Sequence, residues 1–384
     1  MKKLACVALS ISAVLFSCNH TDSLPSPNVV LIISEQQTLD VDKMMQEDNS
    51  DLTKWLRRGA ILSDFHINPS VEPTVTSVLT GRYAQKIKMN NDSILCCGLP
   101  REVASILDVF ESKNYLTSIL STHQANDNTT VKASHSYGNP IDQQIAQKMI
   151  SLLDNSVDQE LPFFAYVYAA QPNREETVCG THKGTLSDDS IKPTCLLTIS
   201  KLLEQYEIID NTIFVSVLLP KSPHEDMETS TTRGIAYEQH HRAQCFIHWP
   251  DGDIKSGLDI QQLTAHIDLY PTLLELANIS IDTLCHLDGV SLKPALLGKQ
   301  QEISSRTIVI DSQCLDRDQK WKDCATMQGS WRLINGSELY NVASDPEQKH
   351  DLKIHNPEIF KRLTAAYDAW WLDSKDVTRV DQGS

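Results

Sequence analysis

Residues Asn28 to Ser34 read NVVLIIS, an unbroken apolar and largely β-branched run with no polar face. A strand with one solvated face alternates polar and apolar residues, whereas a strand covered by helices on both faces does not. The run therefore predicts a buried strand of a parallel sheet near the start of the chain. Phe163 to Ala170 (FFAYVYAA) and Thr212 to Leu219 (TIFVSVLL) have the same character, and Tyr115 to Leu120 (YLTSIL) reads as a further strand. Helical spacings fall between them. Val103, Ile106, Leu107 and Phe110 form one apolar stripe, and Leu197 to Tyr206 predicts another helix. Asn139 as cap and Pro140 in the first turn open a third, with Ile141, Ile145, Met149 and Leu152 on one face. Asp268 begins a later helix through Pro271 and Leu273 to Leu276. Strands and helices in alternation make a doubly wound, mostly parallel α/β sheet the economical architecture. After Gly298 the pattern changes to short strand-like pieces (TIVI, WRLI, ELYNV) and one helix from Pro357 to Trp371, which predicts a smaller C-terminal α+β domain over residues 298–384.

The 384 residues, 41% of them hydrophobic, can bury a large core. Lys2, Lys3 and an apolar run from Leu4 to Phe16 lead into Leu15-Phe16-Ser17-Cys18, the order of a secretory signal that ends in a lipobox. The run is too short to span a bilayer as a mature helix. The expectation is cleavage before Cys18, an acylated N-terminus and a place in a bacterial cell envelope, as a periplasmic or outer-membrane lipoprotein held to the membrane by its lipid. An ordinary signal peptide with an incidental cysteine is the other reading. Residues 19–26 then form a polar tether and residues 27–297 the α/β domain. Of ten cysteines, Cys6 and Cys18 belong to this leader, and the remaining eight show no paired metal-binding spacing. An exported compartment permits disulfides, and Cys314 with Cys324 is the expected local pair. A formal charge of −16 argues against nucleic acid as a partner.

With these pieces in order, the chain resembles the sulfatases of the alkaline phosphatase superfamily. Pro27 to Ile33 looks like the family's opening strand, and Leu79-Thr80-Gly81-Arg82-Tyr83 like the end of its signature segment. Gly98-Leu99-Pro100 with Asn114 to Thr117, then Tyr237-Glu238, Arg242 and Trp249-Pro250, resemble later blocks. Asp268-Leu269-Tyr270-Pro271-Thr272, Asp288 to Leu292, and Glu338 to Val342 with Asp345-Pro346-Glu347 complete the order. The resemblance implies an alkaline phosphatase/sulfatase-like fold and, by family, sulfuric ester hydrolysis.

The reactive positions depart from that pattern. A sulfatase converts a cysteine or serine in C-x-P-S-R to formylglycine at a helix N-terminus beside a cation. Here the segment reads Val71-Glu72-Pro73-Thr74-Val75, so Val71 fills the nucleophile slot and Val75 the arginine slot. Cys97 precedes Gly98-Leu99-Pro100-Arg101, but its proline is at the wrong spacing. The family's metal pairs map to Glu35 and Gln36, and to Leu219 and Pro220. A shift of register to Ser222-Pro223-His224-Glu225 would bring a histidine but leave Pro223 in the aspartate slot. One carboxylate is too few for a hard cation such as Ca²⁺. The sulfate-holding slots map to Thr122, Gln124, Asn173 and Arg233, and Arg233 alone keeps the charge that can fork onto a sulfate.

Three functions are consistent with this reading. The first is a sulfatase-like envelope lipoprotein without catalysis or a bound cofactor, which holds a glycan, sulfated or not, or a protein partner. The second is a hydrolase of sulfuric or phosphoric esters with a rearranged site, in which Thr74 substitutes as nucleophile and Ca²⁺ is retained. The third is a structural subunit of a surface assembly.

Overall fold

The computed structural model describes residues 26–35, 51–87, 99, 103–121, 140–169, 194–220, 234–280, 286–299, 305–312 and 319–376. In the first part of the chain the elements are β1 (Asn28–Glu35), α1 (Asp51–Leu56), β2 (Ala60–His66), α2 (Val71–Thr80), α3 (Ile106–Glu111), β3 (Leu116–Ser121), α4 (Pro140–Gln159) and β4 (Phe163–Ala169). There follow α5 (Thr194–Gln205), β5 (Thr212–Leu219), α6 (Glu238–His241), β6 (Arg242–His248), β7 (Leu258–Ile260), β8 (Thr264–Ala265), α7 (Leu269–Leu276) and α8 (Lys293–Leu296). The C-terminal part holds β9 (Ile308–Asp311), β10 (Cys324–Gln328), β11 (Trp331–Ile334), β12 (Glu338–Asn341) and α9 (Pro357–Asp376).

The central sheet runs β3-β4-β1-β5-β6-β2-β7, with β8 also paired to β2. The strands from β3 to β5 are parallel, and among the described strands of this sheet only β6 runs against its neighbours. The NVVLIIS run lies in the middle of this sheet, and its alternate residues explain the lack of a polar face. Val29, Leu31 and Ile33 enter one core with α2 and α7, while Val30 and Ile32 enter a second core with α4 and α5. Both faces are dry, so every position must be apolar.

Four predicted strands and the helices between them form where the sequence placed them. The α3 N-terminus is fixed by a capping box, with the Ser105 hydroxyl accepting from the Asp108 N–H and the Asp108 carboxylate accepting from the Ser105 N–H. The strands β2, β6, β7, β8 and β10 have no counterpart in the sequence reading. AILSDFH in β2 carries Asp64 and His66 on a face that the sequence gives no reason to bury.

The C-terminal antiparallel sheet, ordered β12-β11-β10-β9, packs α9 on one side. It meets the main domain through Tyr83, Ala236, Ala265 and Ile267, which share a core with Ile308, Ile310, Met327, Tyr367 and Trp370. Cys324 is a free thiol buried in β10, in the core beside Tyr367, rather than half of a local disulfide. Burial pushes it up to about 12, so it sits there as a small apolar residue. Its expected partner Cys314 lies outside the described residues.

Candidate functional site

In open α/β sheets ligands bind beyond the carboxyl ends of the parallel strands. At that edge the β1–β5 register sets Glu35 opposite Leu219, one residue past the Ser34–Leu218 pair. The two expected metal half-sites thus meet at neighbouring strand ends. Leu219 is buried in the core and Pro220 is half-buried, and neither side chain offers a donor atom. Gln36 lies outside the described residues. With leucine and proline supplying half of the four positions, the donor set does not fit a divalent cation that wants six or more oxygens.

Next to this edge, β2 ends at His66 and the chain passes through Asn68-Pro69-Ser70 into α2. Val71 is the first residue of that helix, where backbone N–H groups have no intrahelical acceptor and favour an anion. Ser70 takes an extended N-cap conformation, φ −100° and ψ 145°, but its side chain makes no capping bond. Val75 lies one turn after Val71 on the same face and is buried against the sheet core. An arginine there would reach back to the helix N-terminus; the valine instead fills core volume.

Thr74 does not stand ready as a nucleophile. It is fully buried, and its hydroxyl donates to the carbonyls of Ser70 and Asn68 at 2.9 Å each. Those bonds pin the entry loop to the first helical turn, which is a structural use of threonine. The helix leaves through Gly81, whose φ of 66° is in the left-handed region and whose N–H donates to the Ser77 carbonyl. A Cβ at Gly81 would press on Tyr270 and Leu287 at 3.0 Å. Eight of the ten α2 residues are buried, so the helix is held by packing whether or not its N-terminus does chemistry.

Thr122, Gln124, Asn173, Arg233 and the lipidation residue Cys18 lie outside the described residues. Sequence reasoning missed a buried polar cluster below the same edge. His66 and His241 face one another through their Nδ1 atoms at 2.9 Å, and His66 Nε2 is 2.9 Å from Asp64. Arg332 of β11 donates from Nε to Glu238 at 2.9 Å and from Nη2 to Asp64 at 3.0 Å. Burial alone would raise both carboxyls, but His66 and Arg332 beside them hold Asp64 and Glu238 below the usual range. Burial pushes His241 down to about 3, so it is neutral. His66, Glu238 and His241 bring ligand atoms within 4.8 Å of one another. Arg332 occupies both oxygens of Glu238, however, and the two imidazoles already contact each other, so this is an ion cluster and not a metal centre. The signals available were Asp64 and His66 two apart on one strand, and Glu238 and His241 three apart on one helical turn.

Residues 27–189 match the family model described as Sulfatase. No curated protein matches the sequence. Several solved structures share the fold over most of the chain. Ps i-CgsB, in complex with k-i-k-neocarrahexaose, is 18% identical with a TM-score of 0.70, over 91% of this chain and 94% of its own. BT4656, in complex with its substrate D-glucosamine-2-N,6-O-disulfate, is 14% identical with a TM-score of 0.65, over 92% of this chain and 99% of its own. The PsFucS1 sulfatase from Pseudoalteromonas sp. is 13% identical with a TM-score of 0.64, over 93% and 92%. At such identities the likeness shows the fold and leaves the chemistry to the residues.

Proposed function

The chain carries a sulfatase-family domain on a sulfatase fold, and from that premise we propose that it is a pseudoenzyme: a lipid-anchored envelope protein that binds a sulfated glycan without cleaving it. The observation that carries the proposal is Val71 at the first position of α2 with Val75 one turn later. Valine has neither an atom to convert to formylglycine nor a charge to hold one. The strand ends at Leu219 and Pro220 support the same reading, because among the described residues there neither side chain offers a ligand to the cation that would polarise the ester. The helix N-terminus remains and favours an anion, and Arg233 supplies a guanidinium in the slot that faces the sulfate in the family. Two solved relatives are complexes with a saccharide, one of them a named sulfated sugar, which points to the ligand class.

The test is made on the purified chain. Elemental analysis is expected to find divalent metal well below one ion per chain, and aryl sulfates and aryl phosphates are expected to remain uncleaved with or without added Ca²⁺. On a glycan array, binding to sulfated glycans is expected to fall by on the order of tenfold or more in Arg233→Ala, the loss of one charge-assisted contact. Metal-dependent turnover abolished by Thr74→Ala would overturn the proposal in favour of a rearranged hydrolase. Absence of any glycan binding would leave a scaffold in a surface assembly.

The anchor has its own test. Cells that express the full chain are expected to incorporate labelled fatty acid into it and to lose that label in Cys18→Ala, with the protein moving from the detergent to the aqueous phase. A labelled Cys18→Ala product, or a soluble wild-type chain, would refute the lipoprotein assignment.

A further inference from the structure

The hydrogen-bond partners of the buried cluster fix its protons. His241 Nε2 is 3.1 Å from the Ala236 carbonyl, which can only accept, so that nitrogen carries a proton. His241 is neutral, so its Nδ1 is bare and accepts from His66 Nδ1 at 2.9 Å. The other ring nitrogen of His66 lies 2.9 Å from Asp64 Oδ1, which can only accept; Arg332 Nη2 at 3.4 Å and Glu238 Oε1 at 3.7 Å stand farther off, and that guanidinium nitrogen already donates to Asp64 and Glu238. A bare Nε2 there would set lone pair against lone pair in a site with no solvent exposure of the ring.

We infer that His66 carries a proton on both ring nitrogens and is the fourth charge of a closed, charge-balanced latch that seats the C-terminal sheet on the central sheet. Two cations, His66 and Arg332, meet two anions, Asp64 and Glu238. The groups come from three elements: Asp64 and His66 from β2, Glu238 and His241 from α6, and Arg332 from β11. Arg242, at the start of β6, is a third cation 3.8 Å from Glu238, but its side chain is 43% exposed, so water screens its charge, and its Nε and Nη2 bond the Ser63 carbonyl. His266 stands behind the His66 backbone, donating from Nδ1 to its carbonyl at 3.0 Å, and burial pushes it down to about 4, so it adds no charge. The guanidinium of Arg332 has no unused donor, since Nη1 bonds the carbonyls of Gly329 and Trp331. Loss of the His66 proton would leave two carboxylates against one guanidinium and turn a bare Nε2 toward Asp64.

Histidine ¹⁵N NMR of the full chain at neutral pH tests the protonation directly. The expected result is a His66 ring with both nitrogens in the protonated range and a His241 ring protonated at Nε2 only. A His66 ring with one bare nitrogen, or a stoichiometric metal ion bound by the His66, Glu238 and His241 side chains, would overturn the inference. Charge balance is tested by rescue. His66→Gln is expected to speed amide exchange of Leu333 and Ile334 in β11 by on the order of tenfold. Adding Asp64→Asn should recover most of that loss, because Arg332 then faces one carboxylate. A double variant that exchanges faster than His66→Gln would show that packing, and not the balance of charge, seats the sheet. Should His66→Gln fail to fold, the wild-type NMR result decides alone.

Discussion

Arg332→Ala is expected to destabilise the chain by about 3–5 kcal/mol, the cost of removing one partner from a buried ion pair. The side chain has no exposed surface and reaches from the C-terminal sheet to β2 and α6, where Asp64 and Glu238 have exposures of 16% and 8%. Without the guanidinium both carboxylates lose an ion-pair partner, with only the half-exposed Arg242 left 3.8 Å from Glu238, and the carbonyls of Gly329 and Trp331 lose a donor. The loss also falls on one interface, because the covalent link between the sheets survives while their shared ion cluster does not. Chemical denaturation of the wild type and the variant measures the effect, and the C-terminal sheet should lose structure first. Arg332→Lys restores charge but cannot fork onto two carboxylates, so it is expected to recover only part of the loss. A deficit below about 1 kcal/mol for Arg332→Ala would place the cluster among surface pairs of little consequence.

The sequence made the parallel core legible and hid the ion cluster, for one physical reason. A strand dry on both faces writes its burial into every consecutive residue, as NVVLIIS and TIFVSVLL do. The cluster has no local period: His66 and His241 are 175 residues apart, and Asp64 and Arg332 are 268 apart. Nothing in Asp64-Phe65-His66 says that its polar face will be covered by a guanidinium from the far end of the chain. The valines at 71 and 75 were legible because the surrounding segment fixes the register, and the structure adds that both positions lie on a helix held mainly by its buried face. The Cys314–Cys324 expectation failed because closeness in sequence does not decide where a side chain points, and Cys324 points into the C-terminal core.

Asp268→Ala is expected to cost about as much as the loss of Arg332, in the range of about 3–5 kcal/mol, and to damage the candidate site as well. Asp268 is fully buried, with one carboxylate oxygen accepting from the Ala265 N–H at 2.8 Å and the other from the Val290 N–H at 2.9 Å. Arg306 clamps the same carboxylate with Nη1 at 2.7 Å and Nη2 at 2.5 Å. The backbone continues the arrangement: Thr272 donates to the Asp268 carbonyl at 2.6 Å and accepts from the Leu292 N–H at 2.9 Å. These bonds hold the 288–292 segment, where Gly289 packs so closely that a Cβ would stand 1.9 Å from the Ile267 carbonyl oxygen. Asp288 and Gly289 in turn donate their N–H groups to the Gly81 carbonyl, and the Asp288 carboxylate accepts from the Tyr83 N–H and pairs with Lys86. The buried aspartate thus sets the exit of α2, and with it the placing of the helix whose N-terminus is the proposed anion site. Glycan binding should therefore fall with stability in Asp268→Ala, whereas Arg233→Ala should lose binding and keep the wild-type unfolding midpoint. If Asp268→Ala unfolds earlier yet binds with wild-type affinity while still folded, α2 does not present the ligand, and the site has to be sought elsewhere on the sheet edge.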